Sequence, residues 1–147
     1  MASKEIRAGL FAANYRITTG VPGAPVLTLG LTVSTVTHTV TGQGHIFQAV
    51  NPSLFFKTDL KGNYYLNPIL PPAEYPIHVS LTGWPFIPNP ISNVVPHANA
   101  FTELVLAADW KSGKCTYRYQ DNLEWHVVED VPVVLVADEV VLHAETV

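Results

Sequence analysis

This chain of 147 residues has one cysteine, one methionine and only eight lysines and arginines. Cys115 has no second cysteine to meet, so no intrachain disulfide forms and the fold does not depend on an oxidising compartment. Charged residues make up 14% of the chain, against about 25% in an ordinary domain. The basic residues are scattered from Lys4 to Arg118 without a run or stripe, which excludes the electrostatic footprint of a nucleic-acid binder. No stretch reaches the roughly 20 apolar residues of a membrane-spanning helix. The opening "MASKEIRAGLFAANY" lacks the apolar run of a secretory leader. The expected location is therefore cytoplasmic, or exported without a classical signal peptide. No H-x-H pair and no G-x-S-x-G elbow occurs. "HAE", with His143 and Glu145, is a two-residue spacing of metal-ligand chemistry on a strand face. One such pair without a cluster predicts no metal site and no cofactor.

What the chain does have is a period of two. In "PVLTLGLTVS", Leu27, Leu29, Leu31 and Val33 alternate with Thr28, Gly30, Thr32 and Ser34, the pattern of a half-buried antiparallel strand. "LFAANYRITT", "YPIHVSLTG" and "KCTYRYQ" alternate in the same way and are rich in β-branched and aromatic residues. "NAFTELVLAADW" has helix-forming composition, but Asp109-Trp110 before a turn favours a strand. Turns are expected at "GVPGAP", at Lys61-Gly62-Asn63, at Ser112-Gly113 and at Asp121-Asn122. Late strands are expected at "EWHVV", "VPVVLVA" and "EVVLHAET". The reading is a single all-β domain over residues 1–147, an antiparallel β-barrel or β-sandwich of roughly ten strands.

Between Pro68 and Pro96 lie eight of the twelve prolines. Proline cannot donate to a sheet ladder, so this region is edge and loop around one strand near Ile77–Leu81. Its part "GWPFIPNPISNVVP" is an apolar loop that either packs over a barrel end or meets another molecule. Low surface charge favours contact, and Trp84, Phe86, Ile87 and Ile91 are the expected subunit-interface residues.

The stretch "TVTGQGHIFQAVNP" looks most like a motif. A phosphate-binding glycine loop opens a helix, and no helical pattern follows here, so nucleotide binding is not expected. Glycines within strands mark bulges or close approaches. Gly42 and Gly44 share parity with Val40 and Ile46, so they face inward, where an aromatic ring from a neighbouring strand could fill the space. His45 falls on the opposite face beside Gln43 and Phe47 and reads as a surface histidine. No catalytic residues are identified: Cys115 sits mid-strand where a small core residue belongs, and the paired carboxylates flank apolar strands. Tyr64, Tyr65, Trp110 and Trp125 lie near strand ends, where they either fill the core or line a mouth for an apolar or sugar ligand.

"GLF…NYRITTGVPGAPVLTLGLTVST", "TVTGQGHIFQAVNPSL" and "LAADWKSGKCTYRY…WHVVEDVPV" resemble the small bacterial proteins grouped as domain of unknown function 1842, over about Gly9 to Pro132. The resemblance implies a compact β domain of bacterial origin and transfers no catalytic residues. Two functions are therefore expected in order. The first is a non-enzymatic β domain that works by protein contact, as a homo-oligomer with itself as partner. The second is a β-barrel that binds a small apolar or carbohydrate ligand, or a cyclase-like barrel enzyme.

Overall fold

The computed structural model describes residues 9–49, 54–67, 74–85 and 97–136. Its regular elements are eight strands: β1 Leu10–Ile17, β2 Val26–Ser34, β3 Thr39–Gln48, β4 Leu54–Leu66, β5 Ile77–Trp84, β6 Ala100–Leu106, β7 Ser112–Asp121 and β8 Glu124–Leu135. Each pairs antiparallel with its sequence neighbour, and β8 returns to β1 to close a barrel. Of the two architectures open from the sequence, the barrel is the one formed.

The alternation dictates the inside. Leu27, Leu29, Leu31 and Val33 of β2 point inward with Ala13, Tyr15 and Ile17 of β1 and Ile77, Val79 and Leu81 of β5. The inward residues of β7 are Cys115, Tyr117 and Tyr119. "NAFTELVL" is strand β6, as its short run before a turn suggests. The barrel interior is thus a packed core of aliphatic and aromatic side chains, one of the two ways an eight-stranded barrel is filled.

Three expected turns are corrected. Lys61-Gly62-Asn63 is not a hairpin: β4 runs unbroken for 13 residues, and Gly62 lies in mid-strand opposite Leu81. A Cβ on Gly62 would collide with the Ser80 carbonyl oxygen, so this glycine marks a close approach of two backbones. Gly113 likewise lies within β7, pressed on the Val105 carbonyl, and the turn before it is Ala107–Lys111. The last hairpin turns at Asn122-Leu123, one residue later than Asp121-Asn122, with φ of 52° and 67°. Those paired positive values are the twist-matching kind that hairpins favour.

The strand count falls to eight partly because "EWHVV" and "VPVVLVA" are one strand. A bulge opposite Thr116, with Asp130 at φ 54°, inserts one residue into β8. The Asp130 N–H donates to Thr116 Oγ1 at 3.1 Å. The insertion shifts the inward parity from His126 and Val128 to Val131 and Val133, so one strand reads as two. "EVVLHAET" lies outside the described residues.

Candidate functional site

The four aromatic residues expected to line a mouth divide between the two sides of the wall. Tyr64 and Trp110 face inward at one barrel end, where their ring centroids lie 5.1 Å apart, edge to face. Phe11 packs on Trp110 at 5.2 Å, and His38 stacks on Tyr64 at 4.7 Å. Trp110 takes φ 67°, an uncommon value for a bulky residue. Its burial, and the 2.8 Å hydrogen bond that Tyr15 Oη donates to its carbonyl, hold it there. These rings form a plug. Tyr65 and Trp125 point outward instead: Tyr65 meets His78, with Oη and Nδ1 3.0 Å apart, and Trp125 lies beside Phe101. Of the expected interface residues, Trp84 is half-buried at the end of β5 opposite Asp59. Phe86, Ile87 and Ile91 lie outside the described residues.

The reactive groups inside are held in their neutral forms. Burial pushes the Cys115 thiol well above its ordinary range, and Glu103 adds to the effect. Burial also raises the phenols of Tyr64, Tyr117 and Tyr119. A buried thiol of this kind is a poor nucleophile. Among the described residues, no three His, Cys, Asp or Glu side chains cluster as a metal site. His143 and Glu145 lie outside the described residues.

The glycine-rich strand carries no bulge, since β3 pairs without a register shift with both β2 and β4. Gly44 faces inward as its parity requires, but aliphatic side chains fill the space in place of an aromatic ring. A Cβ there would meet Leu60 Cδ1 at 3.1 Å and Leu29 Cδ2 at 3.2 Å. Gly42 sits where the Gly30 carbonyl presses on the strand.

The outer face of the same strand carries a continuous run of polar and aromatic side chains. Gln43, His45 and Phe47 follow one another along β3, as alternate residues must. Gln43 Nε2 donates to Asp59 Oδ1 at 3.3 Å, and His45 stacks on Phe55 at 5.9 Å. Phe47 stands directly opposite Phe55. These two rings are 54% and 67% exposed. An open groove of about 450 Å³ lies over Gly30, with Asn14, Thr28, Gln43, His45 and Val136 around it. Two smaller depressions, of about 260 and 280 Å³, meet at Phe47 and Ala49. The wall therefore grades from polar at Gln43 to apolar at Phe47 and Phe55. The sequence carried the signal for this face: Phe55 and Phe56 are adjacent, so one of them had to point outward.

No curated protein matches the chain. The family model described as domain of unknown function (DUF1842) matches residues 8–125, which takes in the glycine strand, the outer wall and the β6–β7 turn. The barrel that carries this wall thus belongs to the DUF1842 family.

Proposed function

We propose that this barrel is a non-enzymatic contact module that self-associates through the outer wall of β3 and β4. The observation that carries the reading is the directly opposed, exposed pair Phe47 and Phe55. Two adjacent rings left in water are the hallmark of a surface that another apolar surface covers. Ala49 extends the apolar area, and Trp84 stands farther along the same outer face. The low charge of the chain leaves few groups to oppose association.

A ligand carrier would put its aromatic residues around an internal space. Here the inward rings pack on one another, which supports the contact reading over that one. The test is a light-scattering mass measured against the 16.1 kDa of one chain. The expected parent is an oligomer. Phe47→Ser with Phe55→Ser is expected to lower the mass to one chain with the β circular-dichroism signal retained. A monomeric parent, or a variant that still assembles, overturns the proposal.

A further inference from the structure

Among the described residues, the barrel closes over a short run, which the Val136 N–H extends by donating to the Asn14 carbonyl at 2.7 Å. β1 pairs with β8 at Tyr15↔Leu135, Arg16↔Val134 and Ile17↔Val133. The next residue back on β8 is Pro132, which has no N–H to continue that ladder. From Glu124 to Asp130, β8 is held by β7 on one side, and none of the described residues pairs with its other side. Among the described residues, β8 is thus left with one strand edge unpaired from Glu124 to Asp130, roughly 20 Å long at about 3.3 Å per residue.

The chemistry of that edge follows from the turn. In a two-residue hairpin the residues flanking the turn exchange both backbone hydrogen bonds, and the bonding then alternates. With Asn122-Leu123 as the turn, Glu124, His126 and Val128 bond across to β7. The N–H and C=O groups of Trp125 and Val127 then point away from β7, into the open edge. Their side chains stand on the outer face, 42% and 54% exposed. Arg118 lies 4.5 Å from the ring centre of Phe101 and 5.7 Å from that of Trp125, so the indole is held in place. The edge strand carries Glu124, Glu129 and Asp130 and no cation.

These acids decide the occupant. A second copy of this edge would bring the same three acids and no cation against it, and centred on Val127 would set Glu124 against Asp130 twice over, where like charges directly opposite are destabilising. We infer that the free edge of β8 from Glu124 to Asp130 docks an extended, basic segment of another protein, added as a further strand to the barrel wall. The backbone groups of Trp125 and Val127 supply affinity, the acids select lysine or arginine, and the exposed indole and valine receive an apolar side chain. This surface is separate from Phe47 and Phe55 and does not depend on the self-association reading.

The probe is a synthetic peptide of alternating valine and lysine, with a valine and glutamate peptide as its counterpart. Amide hydrogen exchange of the full chain is followed residue by residue. The basic peptide is expected to slow exchange at Trp125 and Val127 by about tenfold or more, leaving His126 and Val128 little changed. Val127→Pro removes one edge donor without touching the β7 ladder and is expected to abolish the slowing. Glu124→Lys with Glu129→Lys is expected to transfer the preference to the acidic peptide. The inference is overturned if saturating basic peptide leaves Trp125 and Val127 unprotected, or if both peptides protect equally. Protection already present without peptide overturns it too, whether constant, meaning the chain covers its own edge, or rising with protein concentration, meaning copies pair.

Discussion

Two tyrosines of the core have opposite standing. Tyr15 is fully buried and donates its hydroxyl to the Trp110 carbonyl at 2.8 Å. Tyr117 is equally buried, and its hydroxyl has no hydrogen-bond partner among the described residues. An unsatisfied buried hydroxyl carries a desolvation cost that its bonded counterpart does not. Tyr15→Phe should therefore cost roughly 1–3 kcal/mol in denaturant unfolding, while Tyr117→Phe should be neutral or stabilising by up to about 1–3 kcal/mol. Cys115, beside Tyr117 in the same strand, should resist thiol reagents in the native protein and react only on unfolding. The pH consequence has a definite sign. Burial raises the thiol above its ordinary 9.0 and the Tyr117 phenol above its ordinary 10.0. The unfolded chain loses those protons first, so their contribution to stability is complete below pH 9.0 and declines as pH rises beyond it. A thermal melt series across that range should show falling midpoints, and a flat series would refute the buried, neutral assignment.

At the scale of elements, the β7–β8 hairpin shows most clearly how sequence and fold disagree. Its turn is Asn122-Leu123, and Leu123 occupies φ 67° while 88% exposed. Asparagine accepts this region readily; leucine does not. Leu123→Gly should stabilise by up to about 1 kcal/mol, because roughly 1–2 kcal/mol of left-handed strain is released against about 0.5–1 kcal/mol of added chain entropy. A lowered melting temperature would sink that argument. β8 was legible as strand but not as one strand, since the residue inserted at the bulge reverses its parity. β4 was misread for a related reason: Gly62 between Lys61 and Asn63 has turn chemistry, yet the Ser80 backbone requires a glycine there. Neither the bulge nor the close approach is visible without the neighbouring strand. β1 and β2 were legible throughout, and β5 and β7 over Ile77–Leu81 and Cys115–Gln120, because one face of each is apolar and the other polar; Gly83-Trp84 and Ser112-Gly113 read as loop and turn but lie in the strands.

For the whole molecule, the barrel has to divide its apolar residues between a closed interior and an outer wall. The interior takes one residue in two, and the rest of a chain that is 48% hydrophobic goes outside. Phe47 and Phe55 are the sharpest consequence. If they meet a second copy, folding and association are linked, and the melting temperature should rise with protein concentration. Phe47→Ser with Phe55→Ser should remove that dependence. A melting temperature independent of concentration in the parent would argue that the wall stays uncovered by self-association.

The sequence by itself determined the class of the fold, most of the strands and which residues of each face inward, because a period of two has one physical solution when one face must leave water. It also placed Gly44 inward and His45 outward. The tertiary structure decided that the sheet closes, that Tyr64 and Trp110 plug one end while Tyr65 and Trp125 stand outside, and that, among the described residues, β8 pairs with β7 alone from Glu124 to Asp130. Each of these depends on the stagger between strands distant in sequence. Among the described residues β1 meets β8 in register at Tyr15, Arg16 and Ile17, and no local pattern in either strand records where the other begins.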